Sequence, residues 1–419
     1  MKRTMIGLGA VVLALSLSAP ALADQGNGAA EATSARGGHD GHGHGHGGDG
    51  DFGRATLTGF ASLPALTFVP GSEPSGSLLG TAPVNGVTPP FSGQPVQGFS
   101  GVARRDDGTF DVLSDNGYGN KANSSDFLLR VQRVRPDFRT GGVRVVGGVN
   151  LSDPDRRVPF ALTRPDRKLT GADFDVESMV RASDGTLWLG DEFGPFLLHF
   201  SATGKLLETP IALPGVQAPE NPYLGGGTPN LGSSKGFEGM ARSVDGKKLY
   251  PLMEGTVAGD PAGALRVSEF DVRHREYTGR RWVYQLEDPA HAIGDMIAVD
   301  ANRFLVIERD GGQGDTALVK RLYLADLRDR DRDGKVDKTL VADLLDIANP
   351  KRLGGFDTTF RFPFQTIEDV VILDDSTLGV LNDNNFPFSS GRTAGKPDDN
   401  EFITIRLSHR LGADPRVLR

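Results

Sequence analysis

The 419-residue chain carries 54 acidic and 46 basic side chains, for a net charge of −8. That balance excludes the usual nucleic-acid binder, which concentrates Lys and Arg against phosphate, and suits a protein that meets cations. There is no cysteine, so the fold must stand on its apolar core without disulfides.

Lys2 and Arg3, an apolar run from Met5 to Leu17 and the small residues Ala21-Leu22-Ala23 read as a secretory signal. Cleavage near Ala23 would release an extracellular chain beginning near Asp24. The apolar run is shorter than the roughly 18–20 residues that span a bilayer, so no membrane anchor is expected. Residues 24–52 form a Gly- and His-rich leader containing His39-Asp40-Gly41-His42-Gly43-His44-Gly45-His46. It is too low in complexity to pack and is expected to be disordered. Its alternating His either chelate a transition metal or form an inert polar tract.

Beyond the leader, 56 Gly and 26 Pro in the chain, with no long helical pattern, predict many short strands joined by turns. Five segments align with one another: GFSGVARRDDGTFDVLSDNG from Gly98, DVESMVRASDGTLWLGDEFG from Asp175, GFEGMARSVDGKKLYPLMEG from Gly236, AIGDMIAVDANRFLVIERDG from Ala292 and TIEDVVILDDSTLGVLNDNN from Thr366. Each reads as a strand, a tight turn such as Asp107-Gly108 or Asp184-Gly185, and a second strand, which is a β-hairpin. Two more strand-like runs follow most copies, so each unit is a four-stranded antiparallel sheet. The expected fold is an all-β propeller in a single domain over residues 53–410. Ala55–Val69 and Phe402–Leu407 are left over and share a closing sheet, for an expected count of six.

Antiparallel pairing brings the start of each first strand and the end of each second strand to one face. Long connections gather there, and so does acid. Glu177, Glu238, Asp295 and Glu368 begin first strands, with Ser100 at the matching place in the first copy. Asp115, Asp191 with Glu192, Glu254, Glu308 and Asp383 end second strands. Since first strands line a propeller's channel, these carboxylates should converge at its mouth and repel unless cations neutralise them. Hard oxygen ligands without cysteine favour Ca²⁺ over Mg²⁺ or Mn²⁺. Glu177, Asp191, Glu238, Glu254, Asp295, Glu308, Glu368 and Asp383 are the candidate ligands, with Glu238, Glu308 and Arg309 as candidate catalytic groups. Lys235, His291 and Arg361 are candidate substrate contacts, and Arg392 is a further nearby cation. The alternative is structural: a carboxylate repeated in every sheet can accept backbone N–H bonds from the next sheet, and the cations can be ordinary ion-pairing residues.

A second acidic feature, Asp329-Arg330-Asp331-Arg332-Asp333-Gly334-Lys335-Val336-Asp337, has the spacing of a calcium loop. Asp329, Asp331, Asp333, the Lys335 carbonyl and Asp337 would surround one structural ion, although Leu340 stands where an EF-hand has its bidentate Glu. The alternative is a solvated turn of alternating sign. Because it joins the third and fourth strands of the fourth copy, the loop is expected opposite the acidic mouth.

GFEGMA from Gly236, DVESM from Asp175, GDEFGP from Gly190, IERD from Ile307 and NDNNFP from Asn382 together resemble the secreted bacterial family labelled esterase-like activity of phytase, over roughly Gly53–Leu407. The resemblance implies kinship with six-bladed propeller phytases that hold several Ca²⁺ ions in an acidic mouth where phosphate binds. The expected function is a secreted, calcium-dependent hydrolase of phosphoric esters, with water as nucleophile. A carboxylic-ester or lactone hydrolase on the same metal is the close variant. A non-catalytic propeller binding a partner, glycan or cation is the alternative from another class. A Ser/His/Asp triad cannot be assembled from spacing alone, so serine chemistry is not the expected reading. The expected partner is a small-molecule ester, with neither nucleic acid nor membrane, for a monomeric chain.

Overall fold

The computed structural model describes residues 52–418, so the proposed signal, its cleavage site and the His tract lie outside the described residues. The first strand, β1 (Thr56–Leu63), does not pair with the strand that follows it in sequence. Sheet 1 then holds β2 (Phe99–Arg104), β3 (Phe110–Ser114), β4 (Arg130–Asp137) and β5 (Gly142–Asn150). Sheet 2 holds β6 (Val176–Arg181), β7 (Leu187–Asp191), β8 (Phe196–Phe200) and β9 (Ile211–Ala212). Sheet 3 holds β10 (Phe237–Arg242), β11 (Lys248–Met253), β12 (Ala264–Asp271) and β13 (Glu276–Gln285). Sheet 4 holds β14 (Ala292–Ala298), β15 (Arg303–Arg309), β16 (Lys320–Asp326) and β17 (Asp337–Asp343). After the short strands β18 (Ile347–Ala348) and β19 (Thr359–Phe360), sheet 5 holds β20 (Thr366–Asp374), β21 (Thr377–Asp383) and β22 (Asn400–Arg406). Its outermost strand is β1, antiparallel to β22 from Thr56 opposite Arg406 to Leu63 opposite Asn400.

The inner strands β2, β6, β10, β14 and β20 neighbour one another in that order, and β20 lies back against β2, so the propeller closes with five sheets. The expected count of six is corrected. The fifth repeat supplies β20 and β21, and the two terminal runs, as β22 and β1, complete that sheet instead of adding another. There is no α-helix among the described residues, and none of their helices is long and apolar enough to cross a membrane.

The hairpin turns form as their sequences require. Gly108 and Gly185 take φ of 75° and 84°, which costs little without a Cβ. Asp107 and Asp184 each accept the backbone N–H two residues ahead at 3.0 Å. The strands bury both faces, and alternation sends successive side chains to different neighbours. Leu187 and Leu189 of β7 join a core shared with sheet 1, while Trp188 between them joins the core shared with sheet 3. On β15, Phe304 and Val306 pack toward sheet 3, whereas Leu305 and Ile307 pack toward sheet 5. Sheets 5 and 1 meet through Ala61, Leu63, Phe402, Phe99, Phe110 and Val112. Phe402 is 1% exposed, with its ring 4.9 Å from that of Phe110 and 5.5 Å from that of Phe138.

Phe402→Ala would empty the closing interface. The expected loss is about 3–5 kcal/mol of stability in urea denaturation. A loss below about 1 kcal/mol would show that closure does not depend on this packing.

Candidate functional site

The acidic mouth forms where β2, β6, β10 and β20 begin and their partner strands end. Its centre is a cation. Arg309, last residue of β15 and 7% exposed, directs Nη2 to Glu238 Oε1 at 3.3 Å, Glu254 Oε1 at 3.5 Å and Glu368 Oε1 at 3.2 Å. One guanidinium from sheet 4 therefore ties the starts of β10 and β20 and the residue after β11. Burial opposes its charge, but Glu368, Glu238 and Glu254 outweigh that and raise its pKa. Glu368 also accepts the Ser100 hydroxyl at 2.9 Å. Lys235, partly exposed, pairs with the other oxygen of Glu254.

Beside this clamp lie two carboxylate triads that share one residue. Asp175, Glu177 and Glu192 each offer an oxygen within 4.8 Å of the others, and so do Glu192, Glu238 and Glu254. Asp175 is oriented by Asn116 Nδ2 at 2.7 Å and Ser234 Oγ at 2.6 Å. Burial first, and then neighbouring carboxylates, push Glu177, Glu192 and Glu238 well above the ordinary glutamate range. The same two causes push Asp115, at the end of β3, up to about 8. Six carboxylates, Asp175, Glu177, Glu192, Glu238, Glu254 and Glu368, thus face two cations, Arg309 and Lys235.

The donor set fits a hard divalent cation. Ca–O bonds of about 2.3–2.6 Å put ligand oxygens up to about 5 Å apart, so one ion can reach all members of a triad. The observation that favours this is Glu192 Oε1, buried with no hydrogen-bond partner. A buried carboxylate oxygen without a donor is costly, and a shared ligand between two ions is a role that removes the cost.

The remaining expected site residues sit elsewhere or are otherwise engaged. Glu308 is absent from the mouth because it shares the strand face of Phe304 and Val306, which looks toward sheet 3. There it accepts Tyr284 Oη at 2.9 Å, the Glu287 N–H at 2.7 Å and Lys338 Nζ at 3.1 Å, and it meets His291 Nδ1 at 3.0 Å. His291 therefore accompanies Glu308 and not the mouth. Asp295 accepts the N–H groups of Met296 at 2.7 Å and of Val370 in sheet 5 at 3.1 Å, which is the structural alternative for such a carboxylate. In the aligned segments Glu177, Glu238 and Glu368 stand third, whereas Asp295 stands fourth. Gly294 holds the matching place, and a Cβ there would meet the Ile367 carbonyl oxygen at 2.0 Å. Asp191 is taken up by the Asp175 and Gly194 N–H groups, and Asp383 by the Asn385 N–H. Arg361 is exposed and donates to the Ala317 carbonyl, while Arg392 forks onto Glu401 and lies over Phe356, Phe360 and Phe364.

Asp175 and Glu192 are the mouth carboxylates that strand ends alone did not single out as candidate ligands. Asp175 had a signal, since two residues before Glu177 is the same face of an extended chain. Asp369 had none. It is fully buried, neither of its carboxylate oxygens has a partner, and burial followed by Asp295 and Glu368 pushes it well above the usual range.

Replacing Arg309 by Met keeps much of the side-chain volume and removes the charge that three glutamates share. The expected result in metal-free buffer is a loss of about 3–5 kcal/mol in urea denaturation. A variant as stable as the parent would show that the clamp does not hold the mouth together.

A secreted, uncharacterised protein of Arthroderma benhamiae is 27% identical over 187 residues, covering 34% of this chain and 35% of that protein, so about a third of the relative's length is matched. Among solved structures, a GH43 β-1,3-galactosidase aligns at 10% identity and TM-score 0.41 over 74% of this chain and 57% of its own. A protein from Lactobacillus plantarum aligns at 10% identity and TM-score 0.36 over 74% and 87%. At such scores these likenesses add nothing to the strand topology. The family model for esterase-like activity of phytase matches residues 94–386, which takes in the whole of sheets 1–4, the triads and Arg309. The chain therefore belongs to this phytase-like family.

Proposed function

We propose that the protein is a secreted, divalent-cation-dependent hydrolase of phosphoric esters, with calcium as the cation. The observation that carries this reading is Glu192, which belongs to both carboxylate triads and has a buried oxygen without a hydrogen-bond partner among the described residues. Family membership supports an esterase-like activity, and the secreted relative supports export.

The chain's own groups suit an anionic ester only when the carboxylates are neutralised, because an acidic mouth repels phosphate. A cation held by Asp175, Glu177, Glu192, Glu238 and Glu254 would reverse that field and polarise an ester oxygen as a Lewis acid. Lys235, the more exposed of the two cations, is placed to meet an incoming anion first. Arg309 holds Glu238, Glu254 and Glu368 in position. Asn116 and Ser234 orient Asp175.

Hydrolysis of p-nitrophenyl phosphate is expected with calcium and is expected to stop in chelator. Glu238→Gln should weaken the calcium response roughly 10- to 100-fold while the chain remains folded. Hydrolysis that ignores chelator would overturn the reading, as would an unchanged calcium-induced rise in melting temperature for the variant. Turnover of p-nitrophenyl acetate in place of the phosphate would move the activity to carboxylic esters.

The loop between β16 and β17 is proposed as a separate, structural calcium site. Asp329, Asp331 and Asp333 offer oxygens within 4.8 Å of one another, Gly334 turns at φ 86°, and Val336 N–H anchors the loop to the Val283 carbonyl of sheet 3 at 2.9 Å. It lies at the end of β16 far from the mouth. At a calcium concentration 100-fold above Kd, such a site adds about 2.7 kcal/mol of stability. The pair Asp331→Ala and Asp333→Ala should abolish that increment and leave ester hydrolysis intact. Lost hydrolysis in a folded variant would count against a purely structural role.

A further inference from the structure

The inner strands have a second end. β2, β6 and β10 finish in Arg104, Arg181 and Arg242, at equivalent places in three successive sheets. At the matching places in sheets 4 and 5 stand Ala298 and Ile372. These five residues line a cavity of about 530 Å³, which lies about 20 Å from the acidic mouth by the length of a six-residue strand. The C-terminal segment forms part of its wall. Asp414 N–H bonds the Val299 carbonyl at 2.8 Å and Ala413 N–H bonds Asp375 at 2.7 Å, which brings Val417 and Leu418 to the cavity.

The lining mixes two chemistries. Sheets 1–3 contribute arginines among apolar residues such as Met179 and Met240, and sheets 4 and 5 with the C-terminal segment contribute Ile297, Val370, Ile372, Val417 and Leu418. The arginines outnumber their acids. Asp111 alone accepts from Arg105 at 2.8 Å, Arg133 at 3.0 Å and Arg181 at 2.9 Å. Among the described residues Arg104 has only the Leu373 carbonyl, at 3.0 Å. Two acids also line the cavity, but Asp107 is engaged by Thr109 and Asp106 is exposed. Arg416 is paired with Asp414. Arg242 is half-buried, and among the described residues it has neither a carboxylate nor any hydrogen-bond acceptor. Burial pushes its pKa down with nothing opposing it. A half-buried guanidinium without a counter-charge is unfavourable, and an anion bound beside it relieves the imbalance.

We propose that this cavity binds an amphipathic anion, with a carboxylate or phosphate head held by Arg242, Arg104 and Arg181 and an apolar body against Ile372, Val370 and Val417. The volume is that of a small-molecule site, and neither head nor body alone satisfies both chemistries. The site is independent of the acidic mouth and of the activity proposed for it.

Isothermal titration calorimetry in metal-free buffer tests it with four probes: octanoate, octyl phosphate, inorganic phosphate and octanol. Octanoate or octyl phosphate should bind one per chain, at least tenfold more tightly than inorganic phosphate or octanol, and the stronger of the two identifies the head. Arg242→Ala should weaken that binding at least tenfold, and Arg104→Ala, a change at an exposed residue that the fold tolerates, should weaken it in the same direction. The proposal is overturned if no amphipathic probe binds. It is equally overturned if inorganic phosphate binds as well as octyl phosphate, or if folded Arg242→Ala and Arg104→Ala bind like the parent.

Discussion

Pairing of β1 with β22 is the constraint on which everything else depends. Sheets whose strands bury both faces cannot stop at an open edge, since an unclosed ring would expose the apolar faces of sheets 1 and 5 together with the edge of β22. By supplying the outermost strand of sheet 5 from the far end of the sequence, β1 lets five apolar interfaces form one circuit. The circuit is also what allows mutually repelling carboxylates to be held together. Glu177, Glu238 and Glu368 come from three different sheets, and in a looser frame they would move apart.

Within that frame, Arg309 is a local remedy for the mouth. It faces Glu238, Glu254 and Glu368, and no second guanidinium serves the triad of Asp175, Glu177 and Glu192. Buried charge pairs seldom add net stability over apolar packing of the same volume, so such a cluster is better explained by what it binds than by what it stabilises. The contrast with Glu308 is instructive. One residue earlier on the same strand, it is completely engaged by Tyr284, Lys338, His291 and the Glu287 N–H, which makes it part of the scaffold.

The two ends of the inner strands have opposite polarity. Carboxylates gather where these strands begin, and arginines from sheets 1–3 gather where they end. Among the described residues, carboxylates outnumber cations at the mouth, and at the other end Arg242 has no carboxylate partner. At physiological ionic strength the screening length is about 8 Å, well below the strand length, so each end acts on its own surroundings.

The local sequence by itself determined the hairpins. Asp-Gly turns need only adjacent residues, and alternating apolar runs such as Leu187–Leu189 declare strands with two buried faces. The acidic character of the mouth was legible for the same reason, because a strand's first and last residues must reach the face on which it starts or stops; Glu177, Glu238, Glu254, Glu368, Lys235 and Arg309 follow that rule. Tertiary structure decided the rest. The number of sheets depended on whether β1 pairs with β22 or with a further strand, a contact across more than 300 residues. The separation of Glu308 from Arg309, and of Asp295 from Glu238 and Glu368, turned on a shift of one residue, which in an extended chain reverses the direction of a side chain. The union of Glu192 with Glu238, and of Arg181 with Arg242, is set by packing between sheets 2 and 3, and no spacing along the chain encodes the distance between two side chains on neighbouring sheets.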